Sequence, residues 1–276
     1  MISLTFSLVA AFGYGLSDFV GGVTSRRTTA WPVAFLSAVG AAVATLLAAT
    51  IFTGHPTTSD FLWGALAGVG SGLGGAFLYR GLSSGRMGVV APISAVGAAL
   101  IPLPVALFLG ERPTWIAWAG IGLALPGIWL VSREPGARAT TAGVVDGVLA
   151  GLGFGFLFAC AGQIGSDAGL LPLALTQVVG AISIMVMAAW LNQAWLPRRQ
   201  PDLGGLLAGA LAAGAMICFL FATHHGYLSI AAVVTSLYPA ATFGLAAVFL
   251  RERFTPGHAL GMVLCLVAVV LVGLAT

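Results

Sequence analysis

Phe108-Leu109-Gly110-Glu111-Arg112-Pro113-Thr114 returns 141 residues later as Phe249-Leu250-Arg251-Glu252-Arg253-Phe254-Thr255. Each copy closes one apolar run and precedes another. A glutamate beside an arginine does not sit in hydrocarbon, so both junctions mark ends of membrane-crossing segments. Thr114 and Thr255 stand where they can cap the helix that follows. The same register sets Gly85 against Gly226 and Ser94 against Thr235. Near the two starts, Gly13-Tyr14-Gly15 resembles Gly153-Phe154-Gly155 at almost the same spacing. Several matches along one register indicate a duplicated chain.

Hydrophobic residues make up 59% of the 276 residues, charged residues 7%, and mean hydropathy is +1.05. A soluble chain could not cover its surface with so little charge. The length suffices for about ten spans of ~20 residues with short turns. The apolar runs predict spans at 3–22, 32–53, 60–81, 87–109, 114–132, 143–166, 170–191, 203–225, 229–250 and 256–275. Gly54-His55-Pro56 and 197–201 are breaks. The polar connector 132–141, with Arg133, Glu134 and Arg138, divides the chain near its middle. The expected fold is an all-α polytopic membrane protein. Its ten transmembrane helices form two five-helix repeats, 1–137 and 143–276. An odd number of spans per repeat turns the second copy upside down, giving inverted repeats.

All 11 basic side chains are arginines. With ten spans, Arg26, Arg27, Arg80, Arg86, Arg133, Arg138, Arg198, Arg199, Arg251 and Arg253 fall on one side and only Arg112 on the other. The positive-inside rule then puts both termini outside the cytoplasm. A net charge of +3 with no basic patch excludes nucleic acid as a partner. Cys160, Cys218 and Cys265 lack metal-ligand spacing and read as small buried side chains. The N-terminal apolar run has no basic flank before it and reads as a retained first span.

This reading places one acid, Asp18, inside the helices. An intramembrane carboxylate is costly and marks transport or coupling sites. Asp18 can take up a proton, attract a cationic substrate or bind an arginine; the bland alternative is an interfacial helix-end acid. Arg80, on the same expected side, either snorkels to the headgroups or gates a cavity by bonding Asp18. Tyr14, Gln163 and Tyr238 carry hydrogen-bonding atoms into apolar spans and are candidate substrate contacts. Interhelical hydrogen bonds alone would also account for them. Ser94 and Thr235 either cap local carbonyls or touch substrate.

Other features have structural readings. Pro92, Pro102, Pro104 and Pro239 disturb the fourth and ninth spans. Gly68, Gly72, Gly74 and Gly75 thin the third. Glu111 and Glu252 read as hairpin charges, not proton carriers. His224 and His225 point in different directions and lack further ligands, so they read as interfacial donors. No catalytic or phosphate-binding motif is present. Neither an enzyme nor an ATP-driven pump is expected, and no cofactor.

The duplicated halves, with Gly110-Glu111-Arg112-Pro113-Thr114 and Arg251-Glu252-Arg253-Phe254-Thr255, resemble the EamA family of the drug/metabolite transporter superfamily. So does the opening Gly13-Tyr14-Gly15-Leu16-Ser17-Asp18-Phe19-Val20-Gly21-Gly22. The resemblance covers almost the whole chain. It implies ten helices around a central cavity that closes alternately at its two ends. The first, third, fourth, sixth, eighth and ninth spans would line it. Known relatives move small metabolites, many bacterial ones outward, by proton coupling or facilitated movement. Relatives commonly hold both termini in the cytoplasm, opposite to the arginine count here. The eighth-to-ninth connection also lacks the basic character of a sugar-phosphate site.

The expected function is a secondary transporter for a small-molecule metabolite in a plasma membrane, bacterial by resemblance, with membrane lipid around it. Proton coupling is one mode open to it. Small-residue faces serve contacts within one bundle as well as between chains, so oligomeric state stays open. The other reading is a non-transport scaffold or lipid-interacting regulator without a changing cavity.

Overall fold

The computed structural model describes residues 1–25, 28–83, 87–132, 141–249 and 255–275. Among these residues there are helices and turns but no strand. The helices are α1 Ile2–Ser25, α2 Ala30–Ala49, α3 Thr58–Ser83, α4 Met87–Leu100, α5 Pro102–Phe108 and α6 Trp115–Ser132. The second half holds α7 Thr141–Ala161, α8 Leu171–Trp190, α9 Gly204–His224, α10 Leu228–Thr235, α11 Tyr238–Phe249 and α12 Pro256–Ala275. Among the described residues eight stretches are long and apolar enough to cross a membrane, with α10 and α11 counting together as Leu228–Leu245. Ile93–Phe108 and Trp115–Val131 are shorter apolar helices. Leu47, Ile51, Val186, Trp190, Leu266 and Val270 stand exposed on the helices or at their ends. Such surfaces would drive aggregation in water and are at home in lipid.

Two prolines explain why two of the apolar runs are broken helices. The α4–α5 break falls at Ile101, just before Pro102, and the α10–α11 break falls at 236–237, just before Tyr238-Pro239. A proline ring clashes with the carbonyl one turn back and supplies no N–H. Both disturbances lie where the sequence puts them.

Packing follows an exchange rule. Helix α3 packs on α7 and α8, and α4 packs on α7. Helix α9 packs on α1 and α2, and α10 and α11 pack on α1. Swapping the two halves of the sequence turns each of these pairings into another. The helices thereby form two groups, α3–α4–α7–α8 and α9–α10–α11–α1–α2, each drawn from both halves. Contacts of α2 with α8 join them, and α6, which packs on α12, touches both groups through α4 and α11.

Glycine makes the closest approaches possible. Gly64-Ala65-Leu66-Ala67-Gly68 and Gly205-Leu206-Leu207-Ala208-Gly209 sit at the 141-residue spacing. A Cβ on Gly64 or Gly68 would strike the α8 backbone at Pro172 or Thr176, and one on Gly205 or Gly209 would strike the α2 backbone at Val33 or Ser37. Small residues four apart let lipid-embedded helices touch backbone to backbone.

The helix ends are tied by repeated devices. The Thr114 hydroxyl accepts the Ala117 N–H at 3.3 Å and the Thr255 hydroxyl accepts the His258 N–H at 3.3 Å, so both threonines cap as expected. Asp60 accepts the Thr57 N–H and hydroxyl, each at 2.7 Å, and reaches the Gly165 N–H beyond α7 at 2.8 Å. Asp202 accepts the N–H groups of Arg198 and Arg199 at 2.9 Å and stands beside the Thr28 side chain beyond α1. Asp60 therefore ties the start of α3 to the end of α7, while Asp202 organises the chain before α9 next to the segment that follows α1.

Glu111 has a structural role, as read. Its two oxygens accept the N–H of Leu228 at 2.5 Å, the N–H of Ser229 at 3.1 Å and the Ser229 hydroxyl at 2.6 Å. These N–H groups open α10 and have no intrahelical acceptor. Glu252 lies outside the described residues. Replacing Glu111 with alanine is expected to lower stability by about 1–3 kcal/mol, the range for stripping a charged acceptor from buried donors. Thermal unfolding in detergent measures it, and an unchanged midpoint would show that the cap contributes nothing.

Candidate functional site

A cavity of about 150 Å³ lies between the two helix groups. Tyr14, Ser17 and Asp18 of α1 face it, as do Ser37 of α2, Ser71 and Leu78 of α3, and Ala98 of α4. Phe154, Leu157 and Phe158 come from α7, Gln177 and Ile184 from α8, Ala212 and Met216 from α9, and Tyr238 from α11. The cavity is therefore shared by both halves of the sequence. On α2, α3 and α8 its lining runs from mid-helix to within about two turns of one end. That end is where α1 and α3 finish and α2 begins, and it carries the connection 191–203 with Arg198 and Arg199. Toward the opposite end the way is filled by buried Leu173, Phe219, Leu220 and Leu228, with Phe158 beneath them.

Asp18 is exposed, and what it is exposed to is this cavity. Its carboxylate has no hydrogen-bond or ion-pair partner among the described residues. Tyr14 is one helical turn away on the same face. The Tyr14 hydroxyl donates to the Met216 sulfur at 3.0 Å, and its ring lies 6.2 Å from the Tyr238 ring and 6.0 Å from that of Phe158. Tyr238 is hydrogen-bonded to Ser94, which is fully buried behind it. Both tyrosine hydroxyls are thus engaged by protein, and the tyrosines offer the cavity their rings. Ser17, although at the wall, spends its hydroxyl on the Ala208 carbonyl at 2.8 Å. Ser37, Ser71 and Gln177 make no side-chain hydrogen bond among the described residues.

Three of the four expected contact residues, Tyr14, Asp18 and Tyr238, thus meet in one cavity. Gln163 does not. Helix α7 ends at Ala161, and Gly162 begins a tightened turn in which Gln163 bonds the Ala159 carbonyl at 3.2 Å. The expected span ran on to 166; the helix instead ends at Ala161, where the Gln163 and Ile164 N–H groups turn to the carbonyls of Cys160 and Ala161. The glutamine that lines the cavity is Gln177. In α8 it shares a turn with Thr176, whose hydroxyl holds the Gly64 carbonyl at 2.8 Å.

Arg80 does not bond Asp18. Its Nε donates to Asp146 Oδ1 at 2.8 Å, and its Nη2 forms an ion pair with the same oxygen. The guanidinium also covers the Phe77 ring at 4.7 Å. Helix α3 is paired with α7, not with α1, and that neighbourhood selects the partner. Asp146 is 2% exposed, so Asp18 is not the sole acid inside the helices. Thr235 is fully buried and its hydroxyl is unpartnered among the described residues; it does not reach the cavity. The His224 ring nitrogen meets the Ile164 carbonyl at 2.8 Å and that of His225 meets Phe221 at 2.8 Å, consistent with local backbone contacts. Among the described residues, no group of three metal-ligating side chains occurs.

A solved crystal structure, described only as that of a protein, superposes with a TM-score of 0.76 at 13% identity. The match covers 99% of this chain and 96% of that one. Identity so low carries the fold alone. No curated protein matches the sequence. The profile of the EamA-like transporter family matches residues 1–133 and 141–274, nearly the whole chain. The long apolar helices and that match make this a multi-pass membrane protein, and the chain belongs to the EamA-like transporter family.

Proposed function

We propose that this protein is a secondary transporter that moves a small metabolite by alternating access. The observation that carries the reading is an intramembrane cavity, built by both halves of the chain, with a carboxylate in its wall that has no partner among the described residues. An unpaired acid at membrane depth has a cost that a scaffold would not need to bear. The ten helices act as two inverted repeats, 1–137 and 143–276. Exchange of the halves preserves the packing pairs, which supports this arrangement.

The rocking bodies are the two mixed groups around α3–α7 and α9–α1, not the two halves of the sequence. Glycine contacts join helices within each group, and the Asp60 tie adds to them in the first, whereas the cavity runs between the groups. Motion that opens one end therefore leaves the tight contacts intact. Asp18 binds a proton or a cation, and Tyr14 and Tyr238 hold the carbon body of the substrate. The arginine-rich end faces the cytoplasm of a bacterial plasma membrane, which leaves both termini outside.

Single cysteines test the alternating cavity, in a chain with Cys160, Cys218 and Cys265 replaced by alanine. Cysteine at Ser37 should react with an impermeant thiol reagent added at the arginine-rich side. Cysteine at Leu220, one turn beyond Met216, should react from the opposite side. Reaction at Leu220 should be slower, because the core there must part first. If Leu220→Cys stays inert while folded protein is confirmed, the centre is closed permanently on that face and a non-transport role replaces this one.

A further inference from the structure

We infer that the cavity selects a small primary ammonium compound with an apolar body, and that it discriminates against amino acids and organic anions. The inference rests on the transport reading for its biological meaning, but binding alone can decide it. Charge comes first. Among the described residues Asp18 is the one carboxylic acid in the cavity wall, and no arginine or histidine lines it. Arg80, the nearest candidate cation by sequence, is bonded to Asp146. An anionic solute would meet a carboxylate and no counter-charge. A zwitterion would satisfy Asp18 with its amine and leave its own carboxylate unpaired in a low-dielectric site, which is costly.

Hydrogen-bonding capacity narrows the class further. A primary ammonium carries three N–H donors. The wall offers the Asp18 oxygens and three uncommitted neutral groups, Ser37, Ser71 and Gln177. Those groups can accept N–H donors that Asp18 does not take. A quaternary ammonium has no N–H and would leave these polar groups without partners, while its methyl groups would hold the charge away from the carboxylate. The rest of the wall is apolar or aromatic. The tyrosine rings at 6.2 Å, with Phe154 and Phe158, offer surface to a carbon chain and electron-rich faces to a cation. Size sets the last limit. About 150 Å³ is small beside drug-sized pockets of ~300–1,000 Å³, so the solute is a short amine.

Four probes with the same carbon chain separate the possibilities: n-butylammonium, butyltrimethylammonium, 4-aminobutyrate and butyrate. Radiolabelled butylammonium is bound to purified full-length protein in detergent, and the other three compete. Butylammonium should bind saturably, with each competitor at least ~10-fold weaker, equivalent to about 1.4 kcal/mol. Asp18→Asn should lose at least ~10-fold in affinity with an unchanged melting temperature, and Ser71→Ala should lose less. Absence of saturable butylammonium binding overturns the inference. So does equal or stronger competition by 4-aminobutyrate, butyrate or the quaternary compound, or full affinity in Asp18→Asn. Each of those results leaves the cysteine-accessibility test standing, so failure of the amine assignment is distinguishable from failure of transport.

Discussion

Asp18→Asn is expected to abolish substrate-driven current while leaving the fold intact. The exchange keeps the side chain's shape and removes its charge. No protein group among the described residues is bonded to this carboxylate, so none of them loses a partner. What is lost is the interaction with the solute or proton that Asp18 serves. Hydrogen bonds to a charged group contribute about 1.5–3 kcal/mol, a factor of ~10–100 in occupancy. Proteoliposomes on a sensor membrane, exposed in turn to small amines, amino acids and organic acids, report this as transient current. Any solute active with the wild type should give at least ~10-fold less with Asp18→Asn, and Asp18→Glu should restore part of it. Undiminished current in the asparagine variant would remove Asp18 from the transport path. An altered melting temperature would instead reveal a structural partner for the carboxylate.

The features legible in the sequence are those decided within a few residues. The Glu111-Arg112 junction ended a helix, Thr114 and Thr255 capped the ones that follow them, and Pro102 and Pro239 fell at the breaks in the runs they interrupt. Tyr14 and Asp18 share a face because four residues make about one turn. Features set by neighbours were not legible in the same way. Sequence placed Arg80 and Asp18 on the same side, but choosing between Asp18 and Asp146 requires knowing that α3 lies on α7. Gln163 and Gln177 both sit in apolar surroundings, and only the end of α7 at Gly162 separates a turn residue from a cavity residue.

Two repeat signals were present in the sequence and were missed. The glycine pairs Gly64/Gly68 and Gly205/Gly209 hold the 141-residue register, and their use is visible only when α8 and α2 are seen against them. Asp60 and Asp202 stand one residue off that register, so a strict offset passes over them. Their equivalence is chemical: each caps the backbone ahead of a long helix and lies against the connection after a neighbouring helix. Sequence repeats of this kind are better sought by role, allowing the spacing to slip by one.

Asp146→Leu, with Arg80 retained, is expected to cost about 3–5 kcal/mol, the range for removing one partner of a buried ion pair. Asp146 is 2% exposed and the Arg80 side chain 33%, so the carboxylate has given up more water than the guanidinium. The reverse change, Arg80→Met, leaves the more buried charge without its arginine and should be at least as harmful. Changing both together removes both desolvation costs and leaves two apolar side chains between α3 and α7. The double variant should therefore recover most of the lost stability. Thermal unfolding of the four proteins in one detergent gives the coupling directly. Singles that melt with the wild type would mean that Arg80 reaches the headgroups and the contact with Asp146 is incidental. A stable double variant that no longer transports would assign the pair a second duty, holding the α3–α7 group in register while the other group moves against it.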